Sequence, residues 1–261
     1  IQSFPWENWK NEIETAAEIG FDLMEWTIDQ KKLCENPLMT RVGQREIQKL
    51  ITKYSFKIPS LTGDCFMQSP FWKLDGSIKE IKENEFILVA QACSDIGIKK
   101  IVVPLVDNGS IENKTQEQNL VKFMENKRSE IERLGVIIVF ESDYNPKNLK
   151  AFIEQFDKKI VGINYDIGNS AALGFDPQCE MITYGDRILN VHVKDRIFGG
   201  TTVPLGSGSV NFEKVFKCLK NSNYMGDFVL QTARAEDEEH DRLLIKYKIM
   251  TEDWIRSSNL H

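Results

Sequence analysis

Apolar and polar positions along this chain switch between two periods, and the switches are regular. Over residues 6–19, Trp6, Trp9, Ile13, Ala16 and Ala17 recur at helical spacing on one stripe, Gly20 ends it, and FDLMEWTI (21–28) follows as a short apolar run of strand character. The unit then repeats. A helix over about 43–54 precedes KIPSLTGDCF, one over 79–96 precedes IKKIVVPLVD, and one over 116–134 precedes GVIIVFES. Helices over 147–156, 177–185 and 211–221 precede VGINYDIGN, ILNVHVKDR and GDFVLQTAR. Gly20, Gly97, Gly135 and Gly162 fall at helix-to-strand turns, where a left-handed backbone strains glycine least.

Seven strands, each preceded by an amphipathic helix, predict a parallel sheet covered by helices. Regular units without a composition break favour a single domain over residues 1–261, a TIM (β/α)8-type barrel rather than an open doubly wound sheet. The open sheet also lacks its phosphate loop: no GxGxxG or P-loop pattern follows a strand, and GSG at 206–208 is too short. A barrel of this type needs eight strands. The chain opens on IQSFPW, a loop-like stretch directly before its first helix, so a first strand is expected upstream and FDLMEWTI becomes the second.

Composition narrows the partners. The 261 residues are 41% hydrophobic and 10% aromatic, enough for a substantial core. Lys and Arg number 33 against 39 Asp and Glu, a net charge of −6 with no basic block to track a nucleic-acid backbone. No apolar run reaches the ~18 residues of a membrane span. IQSFPWENWK lacks the basic start, apolar centre and cleavage site of a signal peptide. The five cysteines, Cys34, Cys65, Cys93, Cys179 and Cys218, form no CxxC pair and are odd in number, which suits reduced thiols in the cytoplasm. A small molecule is the expected partner, and nucleic acid and membrane are not.

Chemistry in such a barrel gathers at the C-terminal ends of the strands. Four consecutive late strands end in a polar residue: Glu141 in VIIVFES, Asp166 in INYDIGN, His192 in NVHVKD and Gln231 in FVLQTAR. The chain has only three histidines, and strand alternation puts Asn190, His192 and Lys194 on one face. Carboxylates, an imidazole and an amide oxygen suit a divalent ion, Mn²⁺ foremost, with Co²⁺, Mg²⁺ or Zn²⁺ as alternatives. Each residue alone has a plainer reading: a hydrogen-bonded structural histidine, an Asx turn at Asp166, a backbone contact for Gln231. Glu141 is harder to explain that way, because a carboxylate closing Val-Ile-Ile-Val-Phe is costly to bury alone.

Glu141, Asp166, the NVHVKD segment, PLGSGSVNF and GDFVLQTAR together resemble the sugar phosphate isomerase/epimerase family of xylose-isomerase-like TIM barrels, over nearly the whole chain. The resemblance implies a Glu, Asp, His and Glu metal set from the last four strands, which carries over to Glu141, Asp166 and His192. It also implies a strand ahead of the helix at 6–19. The fourth position departs, since Gln231 stands where relatives have glutamate. In related ketose 3-epimerases the first and last glutamates serve as two bases on opposite sides of the substrate, and an amide cannot take up that proton. Gln231 should therefore weaken metal affinity while leaving a stronger Lewis acid. One base favours aldose–ketose isomerisation, with a proton moved along one face through an enediolate by Glu141 or by Glu25, which closes FDLMEW. Glu25 reads equally well as a surface salt bridge. Lys194 is a candidate acid or oxyanion holder, against the commoner solvated lysine.

Alternatives on the same scaffold are a ketose 3-epimerase, a dehydratase, or a noncatalytic sugar-binding barrel that lost a base at Gln231. An apurinic endonuclease would need several metal-binding histidines and a cationic surface. The implied substrate is a sugar or sugar phosphate, and the implied assembly a homodimer or homotetramer. Arg196, Arg234 and the GSGS turn at 206–209, with Gly206 at its head, follow the last two strands, where barrels commonly hold a phosphate. The plainer alternative is an ordinary loop with solvated arginines. Asn169 and Asp64 are further candidate substrate contacts, Asp64 otherwise a helix cap. Trp6, Phe71 and Trp72 can stack on a sugar or belong to the core. AEDEEHD (235–241) reads as solvated surface, with no role for His240.

Overall fold

The structure is a computed structural model that describes residue 2, residues 8–235 and residues 239–260. Trp6 lies outside the described residues. The chain forms two compact units: Gln2–Ser142 with Gln155–Gly162, and Asp143–Glu154 with Ile163–His261.

In the first unit the elements are α1 (Trp9–Glu18), β1 (Leu23–Thr27), α2 (Arg41–Lys53), β2 (Lys57–Thr62), α3 (Asp64–Gln68), α4 (Gly76–Ile96), β3 (Lys100–Leu105), α5 (Lys114–Leu134) and β4 (Ile137–Ser142). Strands β1 to β4 pair in parallel in chain order, with Glu25 opposite Ser60, Thr62 opposite Val102 and Pro104 opposite Glu141. Gln2 adds an isolated parallel bridge to Glu25. Side-chain caps set the helix starts: Thr40 accepts the Gly43 N–H at 3.0 Å for α2, and Asn113 accepts the Gln116 N–H at 3.1 Å for α5. Gly97 and Gly135 end α4 and α5 at φ 89° and 66°, as their positions predict. Ile101–Leu105 and Ile138–Glu141 are continuously buried, the pattern of parallel strands covered on both faces.

Phe71 and Trp72 belong to this core rather than to a sugar platform. Both are buried; the Phe71 ring lies 4.5 Å from Phe123, and Trp72 Nε1 donates to the Gly109 carbonyl at 3.1 Å. KIPSLTGDCF is not one strand either. Strand β2 stops at Thr62, and Asp64 opens α3, so it does not close a strand end.

In the second unit come α6 (Pro146–Ile153), β5 (Val161–Asp166, whose first two residues belong to the first unit), α7 (Ile167–Ala172), α8 (Pro177–Tyr184), β6 (Ile188–Val193), β7 (Asp195–Arg196), β8 (Thr202–Val203), α9 (Phe212–Asn221), β9 (Phe228–Leu230) and α10 (His240–Ser257). Strands β5, β6 and β9 pair in parallel, with Asp166 opposite His192 and His192 opposite Val229. Strands β7 and β8 form a small antiparallel hairpin. Among the described residues the main sheet has seven strands in the order β1-β2-β3-β4-β5-β6-β9, matching the count read from the sequence.

Two local expectations need correction. Gly162 does not make a turn but lies inside β5. The turn before it is built by Asp157, whose carbonyl accepts the Ile160 and Val161 N–H groups while its side chain accepts the Lys159 N–H at 2.9 Å. Helix α10 is not among the expected elements, because no strand among the described residues follows it. It is fixed by packing, with Trp254 stacked on Phe212 at 4.0 Å between ring centres and Tyr247 fully buried.

The second unit also buries a carboxyl away from any strand end. Glu180 of α8 is 1% exposed and accepts hydrogen bonds from Tyr165 at 2.9 Å, from Tyr184 at 2.6 Å and from Ser170. Burial pushes its pKa up in spite of these donors. The unfolded chain therefore loses this proton at lower pH than the folded one, and stability falls as pH rises through the interval between the two values. Denaturation midpoints of the parent relative to Glu180→Gln should drop from about pH 4 upward, the ordinary carboxyl range. A difference that stays flat with pH would remove Glu180 as the cause.

Candidate metal centre

In the first unit, strand pairing sends Glu25, Ser60 and Thr62 to one face, and all three are buried. Ser60 donates to Glu25 Oε2 at 2.7 Å, the Thr62 hydroxyl donates to Oε1, and Gln2 Nε2 donates to the Thr62 hydroxyl at 3.1 Å. Glu25 is thus an interior carboxylate in mid-strand, not a surface ion pair. Glu141 is the penultimate residue of β4 and 6% exposed.

In the second unit Asp166 ends β5 and does two things. Its Oδ1 accepts the Asn169 N–H at 2.8 Å, capping α7 as the plain Asx reading foresaw, and Oδ2 lies 3.4 Å from Lys194 Nζ. Lys194 follows β6 and is not the solvated lysine of the plainer reading. Its side chain is 16% exposed, and its ammonium also donates to Gln231 Oε1 at 3.0 Å. Gln231 follows β9, with its N–H on the Val193 carbonyl at 3.1 Å. His192 is fully buried in β6, and its Nδ1 lies 3.1 Å from Asn164 Nδ2.

Glu141, Asp166 and His192 each offer one ligand atom, and these atoms lie within 4.8 Å of one another. All three residues are buried. Two carboxylates and an imidazole are the hard oxygen and borderline nitrogen donors that Mn²⁺, Mg²⁺, Co²⁺ or Zn²⁺ accept, so the residues present fit a divalent ion. Glu25 is not a member of this group.

The loop residues are arranged otherwise than expected. Asp195, which sequence reasoning passed over, is fully buried and accepts the Gly206 and Gly208 N–H groups at 2.9 Å each and that of Val210 at 3.3 Å. In the GSGS turn proposed for a phosphate, the Gly206 and Gly208 amides therefore face the protein's own carboxylate, and the Ser207 and Ser209 amides donate to the Pro204 and Arg196 carbonyls. A Cβ on Gly208 would stand 2.2 Å from Asp195 Oδ1, which explains the glycine there. Arg196 is held as well: Nε and Nη2 donate to the Gly200 carbonyl at 3.1 and 2.7 Å, and Nη1 donates to Asn169 Oδ1 at 2.7 Å. Arg234 is exposed beyond β9. The other omission, Asn164, was readable from strand alternation, since Asn164 and Asp166 are two apart in β5 as Asn190 and His192 are in β6.

A family model described as xylose isomerase-like TIM barrel matches residues 13–248. The L-ribulose-5-phosphate 3-epimerase UlaE of Escherichia coli O1:K1 is 24% identical over 265 residues, covering 96% of this chain and 90% of that protein. A solved D-allulose 3-epimerase from Methylomonas sp. in complex with D-allulose superposes with a TM-score of 0.77 at 15% identity, covering 94% of this chain and 90% of that one. The IOLI protein, solved with a zinc atom, superposes at 0.80 with 18% identity, covering 97% and 95%. No helix among the described residues is long and apolar enough to cross a membrane. With a match that runs through most of its length, the chain belongs to the xylose isomerase-like TIM-barrel family.

Proposed function

We propose that this protein is a divalent-metal-dependent isomerase or epimerase of a sugar or sugar phosphate. The observation that carries the reading is the buried convergence of Glu141, Asp166 and His192. An ion held by them would supply a Lewis acid toward the substrate carbonyl, which would acidify the neighbouring C–H. Glu141 takes that proton and returns it through an enediolate, and Asp166 and His192 hold their places. Gln231 cannot exchange a proton, and its amide oxygen is bonded to Lys194. A single carboxylate base favours moving the proton along one face, the geometry of aldose–ketose isomerisation.

Epimerisation is the second reading, and it is supported by relatives whose known activities are 3-epimerisations. It requires a second proton donor on the opposite face of the substrate. The deciding experiment incubates ketoses and ketose phosphates with the Mn²⁺-loaded protein in D₂O and follows them by NMR. Deuterium next to the carbonyl supports enolisation; an aldose product selects isomerisation and an inverted ketose selects epimerisation. Binding without deuterium uptake would leave only a sugar-binding barrel. Gln231→Glu should raise the share of epimer among the products, and unchanged products would count against the one-base account.

A further inference from the structure

Behind His192 lies a short buried chain of amides that the proposed chemistry does not use. Asn190 Nδ2 donates to Asn164 Oδ1 at 2.9 Å, and Asn164 Nδ2 faces His192 Nδ1 at 3.1 Å. Exposure is 2% at Asn164 and none at Asn190 or His192. Strands β5 and β6 impose this contact, because Asn164 pairs with Asn190 in register and Asp166 pairs with His192. In this direction Nδ1 accepts, so a neutral ring carries its hydrogen on Nε2. With Nδ1 on Asn164, Nε2 is the nitrogen left for a metal, and in that tautomer it has no lone pair to give.

Turning both amides over by 180° exchanges the oxygen and nitrogen of each and reverses the direction of these two hydrogen bonds. His192 Nδ1–H then donates to Asn164 Oδ1, Asn164 Nδ2 donates to Asn190 Oδ1, and Nε2 presents its lone pair. Metal-bound histidines ordinarily donate their second ring N–H in this way. We propose that Asn164, backed by Asn190, is a positioning residue that sets the His192 tautomer, and that the amide pair reverses direction when a metal binds. This inference rests on the metal-centre reading above.

Two measurements test it on the intact 261-residue chain with Zn²⁺, which is diamagnetic. The first is the long-range ¹H–¹⁵N NMR spectrum of the imidazoles, with His192 assigned by its loss in His192→Gln. The unloaded ring should be protonated on Nε2 and the loaded ring on Nδ1. A ring that keeps one tautomer through the titration overturns the proposal.

The second measurement is Zn²⁺ affinity by chelator competition. Asn164→Leu should bind about 10–100-fold more weakly than the parent, the usual loss for an outer hydrogen-bond partner of a ligand. Asn164→Asp, which can only accept from Nδ1–H, should bind at least as tightly as the parent, a rescue that general loosening of the core would not produce. Equal affinity in the parent and Asn164→Leu overturns this inference alone. A parent that takes up no Zn²⁺ overturns the metal-centre reading and this inference with it.

Discussion

Glu141→Gln is expected to slow exchange of the substrate hydrogen next to the carbonyl with D₂O by ~10²–10⁴-fold, the range lost when a positioned general base is removed. The amide preserves volume and still offers an oxygen, so initial rates are compared at saturating Mn²⁺, where a modest loss of metal affinity does not enter. Glu25 is the rival base, and the two are separated by where their oxygens point. Both Glu25 oxygens are engaged by hydroxyls, Oε2 by Ser60 and Oε1 by Thr62, whereas Glu141 shares the converging group with Asp166 and His192. Exchange that survives in Glu141→Gln and disappears in Glu25→Gln would move the base to β1.

The second large effect is on stability. Asp195→Asn should destabilise the fold by about 3 kcal/mol, because three bonds from backbone N–H groups to a buried carboxylate become weaker neutral bonds and one new amide N–H faces a donor. The change shows as a shift of the urea midpoint at constant slope. A loss below about 1 kcal/mol would mean that water already serves the 206–210 turn, whose residues are mostly exposed, and that Asp195 is not what shapes it. Asp195 also bears on the substrate. With the Gly206 and Gly208 amides turned toward it, a phosphorylated sugar would have to find its anion contacts elsewhere.

Much of the framework was legible because parallel strands leave a coarse signature. Runs such as Ile101–Leu105 and Ile138–Phe140 are apolar on both faces, and Gly97 and Gly135 sit where a left-handed residue is needed. Glu141, Asp166 and His192 were legible for the same reason, since each interrupts an apolar run at one end of its strand. What the pattern could not convey was whom a polar residue bonds. Glu25 and a surface glutamate look alike in sequence; only pairing with β2 brings Ser60 and Thr62 to its carboxylate. The GSGS turn and Arg196 have the composition of an anion site, but Asp195, Gly200 and Asn169 occupy their donors through contacts whose geometry the sequence does not specify. The turn at Asp157 replaced a glycine turn at 162 because a side chain and a carbonyl together can close a turn that needs no left-handed residue.

The proposed chemistry depends on one ion held by Glu141, Asp166 and His192. Elemental analysis after Mn²⁺ loading and gel filtration measures it directly, with His192→Gln as the paired sample. One equivalent per chain is expected in the parent, and affinity more than ~100-fold weaker in the variant, since loss of a ligand should exceed the loss of an outer partner. No retained metal in the parent, or equal retention in both proteins, would contradict the account.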